Sequence, residues 1–163
     1  MRQVILAVTL IGGLLSGCGP DSSPTPAPKA TPPAAPPRVL TSAERTAALA
    51  ALPAPYNTAD LENGRRAFAR CRSCHTITPN GPNMTGPNLY GVIGRTAGTH
   101  AGFKYSPALK AAGFAWDDAR IDHWLQNPRT FLPGNKMTFP GLPDADDRRD
   151  VIAFLSVDAA PAP

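Results

Sequence analysis

No stretch of this sequence alternates apolar and polar residues for long enough to make a strand, which leaves an all-α domain. Cysteine is scarce, at three in 163 residues. A zinc site wants about four ligands, and no second cysteine pair exists to complete one. No apolar run reaches the ~20 residues that a membrane-spanning helix needs. Lysine is thin as well: residues 58–157 hold only Lys104, Lys110 and Lys136, and there twelve Lys and Arg face nine Asp and Glu. That small surplus is not the charge of a nucleic-acid binder. It gives mild steering towards an acidic partner.

Proline, by contrast, is abundant and uneven. Of twenty prolines, eight fall between Pro20 and Pro37. This stretch has no apolar periodicity and cannot bury enough surface to offset the entropy of ordering it, so residues 18–40 read as a proline-rich tether. Ahead of it, Met1-Arg2-Gln3 is a short positive start and Val4 to Leu15 is apolar. A signal peptide over residues 1–17 fits that pattern. Leu15-Ser16-Gly17-Cys18 resembles the lipobox of bacterial lipoproteins, which implies lipidation of Cys18. Several acyl chains, at roughly 0.8 kcal/mol per buried CH₂, would hold the protein on a membrane.

Helices punctuate the rest. Thr41-Ser42-Ala43-Glu44 is a capping box in front of an alanine-rich stretch, and Pro53 and Pro55 end it. Residues 41–57 therefore read as a short helical or linker segment. A second helix is expected from about Asp60 to Cys71, capped by Thr58 or Asp60, with Leu61, Gly64 and Phe68 on one face. Gly64 costs roughly 1 kcal/mol against alanine, and a close helix crossing would explain it. Ser106 to Ala112 makes a short helix ended by Gly113. Another starts at Asp117 or Asp118 and stops before Pro128. The last begins near Asp144, with Val151, Ile152, Phe154 and Leu155 on its buried face. Between Thr76 and Gly102, glycines and prolines leave no room for long elements. A loop that long is unusual inside a compact domain and makes sense if it wraps a large prosthetic group. Residues 158–163 read as a disordered tail.

The chemistry sits in Cys71-Arg72-Ser73-Cys74-His75, a CxxCH sequence and the signature of c-type haem attachment. Two thiols one helical turn apart can each add to one porphyrin vinyl group, and the next residue then offers an imidazole to the iron. A thioredoxin-like pair would want a βαβ context, which the region lacks. The sixth iron position points to Met137, in Pro133-Gly134-Asn135-Lys136-Met137, where the turn brings a thioether inward. Met84 is the rival, and His100 or His123 would give a bis-imidazole haem. Standing alone, Met137 would read as a gap-filling core residue.

With these motifs the sequence resembles the class I, mitochondrial-type cytochromes c in a membrane-anchored bacterial lipoprotein form. The likeness runs from about Ala59 to Leu155, through Thr85-Gly-Pro-Asn-Leu89, Gly91 to Arg95, Gly102-Phe-Lys-Tyr105, Phe114-Ala-Trp116 and Leu125-Gln-Asn-Pro128. It implies four to five helices wrapped around one covalent haem c over residues 58–157. It implies that the Pro87 carbonyl accepts from His75 Nδ1–H. Arg95, Tyr105 and Trp116 would donate to haem propionates, and Gly64 and Phe68 would cross Val151 and Phe154. Leu89 and Leu125 would pack on the haem. Trp124, Leu109 and Asn135 depart from the residues often seen there.

The function so implied is that of a monomeric, non-enzymatic single-electron carrier, lipid-anchored on the periplasmic side of a bacterial membrane. Its partners would be redox proteins such as a quinol-oxidising complex, an oxidase or a reductase in a respiratory chain. The competing readings are a haem peroxidase or gas sensor with an opened sixth position, and a fixed electron-entry subunit of a larger complex.

Overall fold

Every α-helix of the computed structural model starts on a side chain that takes up its first free amide groups. The structure describes residues 39–161, all within the compact unit Ala35–Pro163. The signal peptide, Cys18 and nearly all of the tether lie outside the described residues.

Among the described residues six α-helical segments follow one another: α1 Ser42–Ala50, α2 Leu61–Ala67, α3 Pro107–Lys110, α4 Asp118–Gln126, α5 Pro128–Phe131 and α6 Ala145–Asp158. The caps are Thr41, Asp60, Ser106, Asp117, Asn127 and Asp144 in that order. Five of the segments, α2 to α6, fall within residues 58–157, in line with the four to five expected there, and two of these are single turns. Pro128 does not end the helical region. It takes the first position of α5, where its missing N–H costs nothing, and Asn127 accepts from Thr130 N–H at 3.1 Å. The second helix also stops short of Cys71. It tightens into a 3₁₀ turn over Phe68–Arg70, as last turns often do. Among the described residues β structure is limited to one isolated bridge, Thr96 to Ala115, and no helix is long and apolar enough to cross a membrane.

Helices α2 and α6 make the central contact. A Cβ at Gly64 would overlap the Asp150 carbonyl oxygen and lie 2.8 Å from Phe154 Cβ, so the backbones touch where Gly64 sits. One turn on, Phe68 and Phe154 pack with centroids 5.6 Å apart. Polar groups lock the crossing. Asp150, 2 % exposed, accepts from Asp60 N–H at 3.1 Å and Asn63 Nδ2 at 2.9 Å, and pairs with Arg149. Arg148 ties α6 to α4 through Asp122 at 2.8 Å and donates to the Leu142 and Pro143 carbonyls. Helix α1 packs on the same crossing: Arg45 pairs with Asp158 at 2.7 Å and Glu62 at 3.7 Å.

The long middle loop has its own polar staple. Asn88, 2 % exposed, donates through Nδ2 to the Thr78 and Gly81 carbonyls. Its Oδ1 accepts from Tyr90 N–H, and Asn83 Oδ1 accepts from its own N–H. Buried backbone groups thus find partners without regular structure.

Any side chain at Gly64 must push α2 and α6 apart. Gly64→Ala is expected to cost about 2–3 kcal/mol, in the range of overpacked cores, and denaturant unfolding of the haem-loaded protein reads the loss directly.

Candidate functional site

The core around α2, α4 and α6 is not filled by polypeptide. A cavity of about 360 Å³ opens among Phe68, Leu89, Val92, Leu109, Trp116, Ile121, Trp124, Leu125, Val151 and Leu155, within the 300–1,000 Å³ usual for cofactor pockets. Cys71, Cys74, His75, Pro87, Arg95, Tyr105, Trp116 and Met137 all line it. The other sixth-ligand candidates stay off its wall: Met84 is 46 % exposed, His123 is exposed on α4, and His100 lies in the neighbouring loop.

The CxxCH stretch follows α2 and its 3₁₀ turn. The amides of Cys74 and His75 both donate to the Cys71 carbonyl, at 3.0 and 2.9 Å. That single turn brings both thiols and the imidazole to one wall. Burial pushes the Cys71 thiol up to about 11, with Cys74 adding to the rise and Arg70 opposing it. Among the described residues there is no group of three or more His, Cys, Asp and Glu able to hold a metal ion.

His75 is fixed from two sides. Its Nδ1–H donates to the Pro87 carbonyl at 2.7 Å; a carbonyl accepts only, so the proton sits on Nδ1 and the Nε2 lone pair is left free. Burial holds the ring's pKa below its ordinary value, against the opposing pull of that hydrogen bond. Gly86 supplies the space. A Cβ there would overlap His75 Cε1 and lie 2.7 Å from both ring nitrogens.

Arg95 is the other distinctive group. Its Nη1 donates to the Asn88 carbonyl at 3.1 Å and to His100 Nδ1 at 2.6 Å, and its Nη2 donates to the Tyr90 carbonyl at 3.2 Å. Burial lowers its pKa, and no carboxylate of the described residues pairs with it. Tyr105 lies close by, its hydroxyl pushed up by burial against Arg95 and the His100 backbone N–H. The backbone couples this cluster to Trp116, whose N–H donates to the Arg95 carbonyl at 2.9 Å. A half-buried guanidinium without a carboxylate, on a cavity that no Asp or Glu lines, suits an anionic group of a ligand. No acidic residue occurs between Glu62 and Asp117, while Arg70 and Lys136 reach the cavity wall. The donor set and the anion-ready wall fit a covalent haem with its propionates.

Sequence reasoning passed over three groups here. Gly86, inside Thr85-Gly-Pro-Asn-Leu89, carries no local signal of its role, because its cause is a ring met through space. The His100–Arg95 contact joins two loop residues that no periodicity relates. Asn135 stands out in the sequence only as a departure from the residue often seen there, because its hydrogen bonds depend on the turn around it.

The family model described as Cytochrome c matches residues 61–157. The chain is 42 % identical over 110 residues to cytochrome c2 of Rhodomicrobium vannielii, spanning 68 % of this chain and 88 % of that protein. It is 38 % identical over 105 residues to cytochrome c of Kluyveromyces lactis, spanning 64 % of this chain and 96 % of the relative. Among solved structures, cytochrome cH from Methylobacterium extorquens superposes with a TM-score of 0.54 at 43 % identity, covering 59 % of this chain and 96 % of that one.

His100 is held below its ordinary pKa, first by burial and then by Arg95. The unfolded chain therefore binds this proton at higher pH than the native one does. The contribution to stability is present above about pH 6.5, the unfolded value, and is lost as pH falls through it and on through the folded value. An NMR titration of the His100 ring should give a midpoint below that of a free histidine, and Arg95→Gln should move it back up.

Proposed function

Because the chain belongs to the cytochrome c family and carries one covalently bound haem c, we propose that it shuttles single electrons with the iron held between His75 and Met137, at the periplasmic face of a bacterial membrane to which Cys18 anchors it. It is an electron-transfer protein and not an enzyme. The observation that carries the axial assignment is the cavity wall: it includes His75 and Met137, and excludes Met84, His100 and His123.

The haem supplies a one-electron iron couple. The residues do the rest. Cys71 and Cys74 tie the group to the turn after α2. His75 offers Nε2 because Pro87 holds Nδ1–H, a partnership that raises ligand basicity. Met137 offers a thioether, and His/Met ligation favours a raised reduction potential. Arg95, Tyr105 and Trp116, which line the same cavity, would donate to the propionates. Leu89, Leu125 and Val151 exclude water from the site. If His75 and Met137 both held the iron, they would leave it no open position for a substrate, which disfavours the peroxidase and gas-sensor readings.

The partners are redox proteins. The cavity wall carries Arg70 and Lys136 and no acid, which favours a partner with an acidic docking face, steered in over a Debye length of about 10 Å at 0.1 M salt. Anchoring through Cys18 and a proline-rich tether would keep the domain near membrane-bound donors and raise its effective concentration there.

Two measurements test the proposal. The sulfur-to-iron charge-transfer band of the ferric protein should vanish in Met137→Ala; a band that survives would remove Met137 from the iron. Cys18→Ser should move the mature protein from the membrane to the soluble fraction, and a mutant still bound to membranes would reject the lipid anchor.

A further inference from the structure

We propose that Asn135 is the positioning residue of the methionine loop, holding Met137 on the cavity wall and resisting its departure. The inference rests on the reading that Met137 ligates the iron.

Between the end of α5 at Phe131 and the start of α6 at Ala145 the chain has no regular element. Something other than a helix or a sheet must hold Met137 in place. The first device is a turn. Asn135 N–H donates to the Leu132 carbonyl at 3.2 Å, with Pro133 and Gly134 between them. Gly134 has φ +83°, the left-handed geometry that a type II turn requires at its third position, behind a proline at its second. This turn delivers the Asn135 side chain back towards the helix it has just left.

The second device is that side chain. Its Nδ2 donates to the Pro128 carbonyl and to the Leu132 carbonyl, each at 2.8 Å. Its Oδ1 accepts from Met137 N–H at 2.8 Å. One amide thus binds two carbonyls at the α5 end and, on its other side, the backbone of Met137 itself. Asn135 also lines the same cavity as Met137. The far end of the segment is pinned separately, by Leu142 N–H on the Leu125 carbonyl at 2.7 Å. Met137 therefore sits five residues before that pin and two after the clamp, so the clamp sets its position more closely.

The chemistry selects asparagine. Two donors and an acceptor on one short planar group are what these three bonds use. A threonine hydroxyl has a single donor and cannot serve both carbonyls. An aspartate keeps the acceptor for Met137 N–H and loses both donors.

The test uses haem-loaded wild type, Asn135→Ala, Asn135→Asp, Asn135→Thr and Met137→Ala. Carbon monoxide binding to the ferrous protein reads how often the sixth position opens, the ferric charge-transfer band reads the sulfur, and far-UV circular dichroism reads the helices. With the clamp removed, Asn135→Ala should bind carbon monoxide about tenfold faster, the scale of a lost hydrogen-bond set, and show a weakened band with unchanged helix signal. Asn135→Asp should fall between it and wild type. Wild-type binding and an intact band in Asn135→Ala would overturn the clamp. If the band also survives in Met137→Ala, the ligation reading falls instead, so the two failures are distinguishable. Should Asn135→Ala fail to mature, Asn135→Thr decides in the same way: faster binding supports the clamp, and wild-type binding overturns it.

Discussion

The side chains that line a cavity of about 360 Å³ pack on the haem rather than on one another, so the polypeptide's own contacts are concentrated elsewhere. The heaviest demand falls on the α2–α6 crossing, where Gly64 lets two backbones touch and Asp150 gathers the start of α2 onto α6. That contact orients the 3₁₀ turn after α2, and the turn orients Cys71, Cys74 and His75. The cavity and the chemistry at its wall are therefore consequences of one helix pair that is able to meet closely.

The second demand falls on the loops. Covering a large group requires long backbone without helices, and every amide in it needs a partner. Asparagine meets that need at two places. Asn88 joins three backbone groups of the middle loop, and Asn135 joins three around the methionine turn. Between them the chain fixes both the imidazole side and the thioether side of the site. Arg95 extends the theme, donating to two carbonyls and a histidine while it faces a cavity without acids.

What could be read from the sequence was local. CxxCH states its chemistry in five consecutive residues, and caps such as Thr41, Asp60 and Asp144 announce helices because they act within one turn. Pro128 shows the limit: the same residue ends one helix or begins the next, and only Asn127 and the chain beyond it decide. The cavity wall was legible through resemblance, since Tyr105, Trp116 and Met137 are separated in sequence and share no period. Gly86 against the His75 ring and His100 against Arg95 were not legible, because each pairing depends on how loops cross in space.

The end of the described chain has a practical bearing. Ala159 is buried, and its carbonyl accepts from Gly91 N–H at 2.6 Å. Gly91 opens the run that leads to Arg95, so the residues just past α6 brace that part of the cavity wall. Helix α1, by contrast, adds no side chain to the cavity and meets the domain at Asp158 and Glu62. Anyone wiring this domain to an electrode or joining it to another protein is thereby told which side to hold: a graft ahead of Thr41 leaves the redox centre undisturbed, whereas one crowded against Ala159 pulls on its scaffolding.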